Sequence, residues 1–201
     1  LGPLVTLSIA CQRFGPDVVV AEPASYAAAV HRAGFAHAPF ADPAPAVRDA
    51  VIADISRLAL HEANVRIIRD VFARIDATAA LPGLQALLGA WRPDVIIRET
   101  YEYGSYIAAE RNEIPHAQVD VVLAWFEEFG LSVVEAPLNE LRASVGLGPD
   151  PGLVRLLAAP HLTCVPGSLE HPAVPGPGHT YRFWDSAADR GGAGVPDWWN
   201  G

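Results

Sequence analysis

Residues 91–119, WRPDVIIRETYEYGSYIAAERNEIPHAQV, constrain the fold more than any other stretch of the chain. An apolar run over 95–97 has strand length, a polar break follows at 98–100, a helical pattern covers 103–112, and a second short strand covers 116–119. Short strands linked through a helix are the repeating unit of a parallel sheet. The break leaves Glu99 at the carboxyl end of a strand, the place where open α/β sheets bind their ligands. Glu99 is therefore the first candidate for chemistry.

The N-terminal third repeats the alternation. Residues 4–14 have apolar side chains at roughly helical spacing and stop at Gly15-Pro16, and DVVVA (17–21) is a continuous β-branched run suited to a strand buried on both faces. Glu22-Pro23 ends it. Ser25 is placed to cap a helix over 26–33 with Gly34 as its stop, and 35–40 form a further strand. Helix, strand, helix, strand in about 40 residues predicts a parallel sheet with crossover helices. Residues 42–45 (DPAP) form a loop, 46–80 a long helical region of two helices or one kinked helix, and 81–91 another helix with Pro82 in its first turn. Beyond 119 the pattern weakens: residues 123–130 hold Trp125, Phe126 and Phe129, a break is expected over 133–137, and short helices over 138–145 and 153–158. Residues 161–165 read as a late strand. From Pro166 onward Pro and Gly are dense, which predicts a linker or a loop along a sheet edge.

Composition removes several function classes. The chain of 201 residues is 51% hydrophobic, enough for one sizeable core. Its formal charge of −9, with 14 scattered Arg as the whole basic complement, is wrong for nucleic acid. No run approaches the ~18 apolar residues of a membrane helix, and no secretory signal pattern is present, so a cytoplasmic protein without membrane contact is expected. Cys11 and Cys164 lie far apart and read as buried reduced thiols. Walker, GxGxxG, GxSxG and HExxH motifs are absent. His37, His61, His161, His171 and His179 have no partner at ligand spacing, so no metal is expected; His116 reads as a packing residue, and Glu127-Glu128 as a solvated face or a charge that steers a cationic acceptor. The absence of Met and the opening Leu1-Gly2-Pro3 create the expectation that further residues precede Leu1.

Several short motifs, in order, resemble family 1 glycosyltransferases of the GT-B fold, in particular bacterial enzymes that glycosylate natural products, antibiotics among them. Arg92-Pro93-Asp94, Glu99, Ala108-Ala109 and Ile114-Pro115-His116 match the family's Trp-Arg-Pro-Asp run, strand-end acid, small-residue helix and Pro-His turn. Leu1-Gly2-Pro3-Leu4-Val5 resembles the residues after the family's Gly-His, His31-Arg32-Ala33-Gly34-Phe35 its small turn, and Pro196-Asp197-Trp198-Trp199 the run before its donor domain. The resemblance implies an α/β, Rossmann-like parallel sheet flanked by helices, the N-terminal half of a GT-B fold. Residues 1–165 would be the acceptor-binding domain and 166–201 the interdomain linker. The first strand, glycine loop and catalytic His would precede Leu1, and a nucleotide-sugar domain would follow Gly201.

The implied chemistry is inverting transfer of a sugar from a nucleotide sugar to a hydroxyl of a hydrophobic natural product, with no cofactor beyond that co-substrate. A His takes the hydroxyl proton while a carboxylate on its other nitrogen fixes the tautomer. The resemblance puts Glu99 in the carboxylate's place, where the family usually has Asp; the alternative is a cap or salt bridge at the following helix. Thr100, Tyr101, Tyr103, Trp125, Phe126 and Phe129 are the acceptor-binding candidates, with core packing as their other reading. The rival class is a non-catalytic partner protein that retains only an acceptor domain.

Overall fold

The computed structural model describes residues 2–174 and 176–183, with side chains from Leu4; Leu1 and the Pro196–Trp199 motif lie outside the described residues. A helix, α1 (Gly2–Arg13), leads to β1 (Val19–Pro23), then α2 (Ala27–Arg32) and β2 (Ala36–Phe40). The two strands pair in parallel, Val19 opposite Ala36 through Pro23 opposite Phe40. Ser25 does not cap α2 as expected: its amide and hydroxyl both donate to the Asp42 carboxylate, which holds that carboxyl below its ordinary pKa.

The long helical region is divided differently from its sequence reading. After α3 (Pro45–Ile55), α4 (Leu60–Arg66) runs through a π-helical stretch (Ile67–Asp76) into α5 (Ala77–Ala90) with helical backbone at both joints. Pro82 lies inside α5 without ending it. The apolar residues Ala77, Ala80, Leu81, Leu84 and Leu88 are buried there, and that burial outweighs one lost backbone bond.

A second sheet has the order β3 (Ile96–Glu99), β4 (His116–Asp120), β5 (His161–Thr163), β6 (Thr180–Arg182), all parallel. Strand β3 runs two residues further than expected and takes in Arg98, because that side chain is buried beside Gln118 instead of solvated. Between β3 and β4 lies α6 (Tyr103–Arg111). The expected break near Pro137 is absent: α7 (Ala124–Ser144) is one helix, with Gly130, Val134, Pro137, Leu138 and Leu141 buried along one side. The short α8 (Val154–Leu157) precedes β5. The Pro/Gly-rich stretch is not wholly irregular, since residues 180–182 return to add β6. Cys164, just beyond β5, is exposed and Cys11 half-buried, not buried as expected. No helix among the described residues is long and apolar enough to cross a membrane.

The core lies between α5, α6, α7 and the π-helical stretch, around Ile68, Leu84, Tyr106, Ile107, Val134 and Leu138. Arg142 of α7, 2% exposed, crosses it, donating to Tyr106 Oη (2.7 Å), the Gly148 carbonyl (2.8 Å) and the Glu110 carboxylate. Tyr106 in turn donates to Asp150 (3.1 Å). Burial pushes the Tyr106 phenol up to about 12, so it remains a donor. His116 packs edge-on against that ring at 5.4 Å, as expected of a packing residue, and burial takes its pKa down to about 4.

Two glycines of α5 should respond oppositely to Ala. A Cβ at Gly83 would stand 2.7 Å from Phe40 Cβ, whereas one at Gly89 meets nothing within 4 Å. Gly83→Ala is expected to destabilise by about 1–3 kcal/mol, and Gly89→Ala to stabilise by about 0.5–1 kcal/mol. Urea denaturation of both variants checks the contrast, and equal effects would refute the close approach of α5 to β2.

Candidate active site

The two parallel sheets do not meet. Among the described residues β1 pairs only with β2, and β3 only with β4. Between β1 and β3 lies a cavity of about 570 Å³, walled by residues 18–22 on one side and 95–99 on the other. Helix α1 covers it through Leu4, Leu7 and Cys11, and α5 and α6 through Leu84, Leu88 and Ala108. The walls are strand edges, whose backbone groups point along the sheet and template another strand. The cavity is thus a largely apolar gap between two strand edges.

The carboxyl ends of both walls carry acids, and Glu22, Glu99 and Glu102 all line the cavity. Glu102 is the N-cap of α6: its carboxylate accepts the Ser105 amide (2.9 Å) and the Ser105 hydroxyl. The capping alternative for Glu99 is therefore taken by Glu102. Burial pushes the Glu99 carboxyl up, against a bond from the Tyr101 amide; nearby Glu102 raises it further and Arg98 opposes.

Beyond Glu99 the chain enters an aromatic wall. Tyr101 stacks on Phe72 at 5.5 Å and meets Phe126 edge-on at 6.4 Å; Phe126 touches Trp125 (5.4 Å) and Phe129 (5.7 Å), and His61 lies 5.3 Å from Phe129. Tyr101, Trp125, Phe126 and Phe129 are thus brought together. Trp125 is 48% exposed, so the wall opens to solvent at its end. Tyr103 also meets Tyr101 edge-on at 6.4 Å, but it and Thr100 are each only 2% exposed. The Thr100 hydroxyl donates to the Val119 carbonyl (3.4 Å) and accepts from the Val121 amide (3.1 Å), joining β3 to β4. Tyr103 is a core residue whose phenol is pushed up by burial. Phe72 was not singled out in the sequence, and His61 was weighed only as a metal ligand, because nothing in a long helical region of mixed polarity marks the residues that face a site.

Behind β3 is a buried polar row that the sequence reading missed. Arg98, Gln118 and His161 sit opposite one another on β3, β4 and β5, each at most 2% exposed. Arg98 donates through Nη2 to Gln118 Oε1 (2.6 Å) and through Nη1 to the Glu99 and Thr100 carbonyls (3.1 and 3.2 Å). Gln118 Nε2 donates to Asp120 Oδ1 (2.8 Å) and Glu127 Oε1 (2.5 Å). His161 Nδ1 stands 2.9 Å from Asp120 Oδ1, which places its hydrogen on Nδ1. Glu127, expected on a solvated face, is 5% exposed; burial pushes its carboxyl up, the Gln118 bond opposes, and Asp120 raises it again.

His161 therefore does have acidic partners, supplied by the fold and not by sequence spacing. Ligand atoms of Asp120, Glu127 and His161 lie within 4.8 Å of one another, the compactness a cation needs. The space between them is filled by Gln118 Nε2, a donor, 3.3 Å from His161 Nδ1, with the Arg98 guanidinium behind it. A neutral amide thus does the bridging in this chain.

No protein-family model and no curated protein sequence matches the chain. Solved structures do. A glycosyltransferase of Streptomyces sp. SF2575 is 25% identical over 84% of this chain and 48% of its own, with a TM-score of 0.62. The glycosyltransferase of kitacinnamycin is 21% identical over 97% and 51%, TM-score 0.67. SnogD from Streptomyces nogalater is 21% identical over 98% and 50%, TM-score 0.66. The chain spans about half the length of the structures it matches. Parallel sheets, crossover helices and these likenesses together give the chain the fold of an N-terminal domain of bacterial GT-B natural-product glycosyltransferases.

Proposed function

We propose that this chain is the acceptor-binding part of an inverting glycosyltransferase, one that moves a sugar from a nucleotide sugar to a hydroxyl of a hydrophobic natural product. The observation that carries the reading is Glu99 on the lining of the cavity that lies between the two parallel sheets. A strand filling that gap parallel to β1 and β3 would end at the level of Glu99, and a right-handed crossover through α1 would carry it to β1. The turn after such a strand stands beside Glu99. In the resembled family that turn bears the Gly-His whose imidazole is the base.

The reaction then needs few parts. The acceptor lies along Trp125, Phe126 and Phe129, with Tyr101 behind them, and offers its hydroxyl to the imidazole. The imidazole takes the proton as the oxygen attacks the anomeric carbon from the face opposite the nucleotide; the bond from that carbon to the diphosphate oxygen breaks, the nucleoside diphosphate leaves with the electron pair, and the centre is inverted. Glu99 holds the other ring nitrogen and stabilises the imidazolium. The scheme uses no metal. A nucleotide-sugar domain after residues 166–201 supplies the donor. That part of the reading is supported by the structures of matched glycosyltransferases complexed with thymidine diphosphate.

In the full-length protein, Glu99→Ala is expected to lower turnover by roughly 10²-fold or more, the scale of lost general-base support. Steady-state sugar transfer measures it, and an unchanged rate would remove Glu99 from the chemistry. The pH profile gives a second check. Because burial raises the Glu99 carboxyl and both an ionised Glu99 and a neutral imidazole are needed, activity should fall as the pH drops, while a rate that stays flat through the acid range would count against the role.

A further inference from the structure

We propose that Gln118 is a positioning residue, holding through Arg98 the turn that presents Glu99 and tying that turn through Glu127 to the helix that carries the aromatic wall. The inference rests on the reading of Glu99 given above, and it adds residues no sequence motif marks. Its basis is a continuous path of short bonds in a buried place. Arg98 Nη1 grips the two consecutive carbonyls of Glu99 and Thr100, and the Glu99 carbonyl also accepts the Glu102 amide (3.2 Å). The turn from β3 into α6 is thus fixed from inside the sheet. Arg98 is in turn held at Nη2 by Gln118 Oε1.

Gln118 suits this position chemically. Its oxygen faces a cation and its nitrogen faces two carboxylates, Asp120 and Glu127. An amide presents an acceptor at one end and donors at the other; a carboxylate, an ammonium or an alkyl group cannot satisfy both. Glu127 lies in the first turn of α7, next to Phe126 and two residues from Trp125. A shift of α7 at the wall is therefore transmitted to Glu99 through three side chains. Supporting residues of this kind set reacting groups to within about 0.5 Å, and a displacement near 1 Å costs about 10²-fold in rate.

The test uses the full-length protein in a sugar-transfer assay, with hydrogen exchange at the Glu102 amide as a readout independent of activity. Gln118→Leu is expected to lower kcat by about 10- to 100-fold with the donor KM unchanged, and to speed exchange at Glu102. A folded Gln118→Leu variant with wild-type kcat and wild-type exchange overturns the proposal. If Gln118→Leu does not fold, Glu127 decides. Glu127→Gln keeps an acceptor for Gln118 and should keep most of the turnover, whereas Glu127→Leu removes that acceptor and, in the folded variant, should lose turnover. Equal kcat in those two variants also overturns the proposal. Should Glu99→Ala leave the rate intact, the catalytic reading fails by itself, and exchange at Glu102 in Gln118→Leu still distinguishes a held turn from a free one.

Discussion

A parallel strand has two edges and two faces, and all four must be covered if it is to be stable away from water. In this molecule the faces are covered by helices, but the edges of β1 and β3 look across a cavity at one another. Everything near the candidate site follows from that geometry. The ends of β1 and β3 place Glu22, Glu99 and, just beyond, Glu102 on the lining of that one cavity. Apolar walls remove water from that lining, which is why the carboxyls of Glu22 and Glu99 are raised chiefly by burial.

The second governing feature is a pair of buried arginines, each neutralised differently. Arg142 meets Glu110 directly and adds a phenol and a carbonyl, joining α6 to α7 and the loop beyond. Among the described residues Arg98 has no carboxylate in contact; it is linked through Gln118 to Asp120 and Glu127. Burial lowers the pKa of Arg98, the direction expected of a cation held mostly by neutral dipoles. Removing one partner of a buried charge leaves it uncompensated, which typically costs about 3–5 kcal/mol. The first network fastens core helices to each other, and the second fastens a strand end to a helix entrance. Only the second ends on carbonyls of the candidate site.

Local signals were enough for the strands and poor for the helices. The β-branched run before Glu22, the runs at 35–40 and 161–165 and the pattern around 95–119 place five of the six strands of the described residues within about two residues, because short apolar runs between turn residues admit few other structures. Pro82 and Pro137 misled, since both lie in helices whose buried side repays the missing bond. Glu99 was legible from its place at a strand end. Arg98, Gln118, Glu127 and His161 were not, because register across three strands makes them neighbours while 63 residues of sequence separate the first from the last. Charged residue types suggested solvent, and only packing turns Glu127 inward. Thr180 to Arg182 were hidden by their Pro and Gly surroundings for the same reason: pairing with β5 is a tertiary event.

An acid crowded by other acids at an apolar cavity has a definite electrostatic preference. Glu99 is desolvated, Glu102 is committed to its cap, and Arg98 directs its donors to backbone carbonyls and Gln118. Such a carboxylate gains most from a partner that brings a proton or a positive charge, and an imidazole that becomes imidazolium during the reaction does both. In the proposed reaction Glu99, one methylene longer than the Asp usual in the resembled family, would have to meet the imidazole from a backbone set further back. The Arg98 clamp on the Glu99 and Thr100 carbonyls supplies a means, since it sets the backbone from which the longer side chain starts. On that proposal a Glu at this strand end and an Arg before it are parts of one solution: the side chain adds length, and the buried guanidinium, bonded to the Glu99 and Thr100 carbonyls, decides where that length begins.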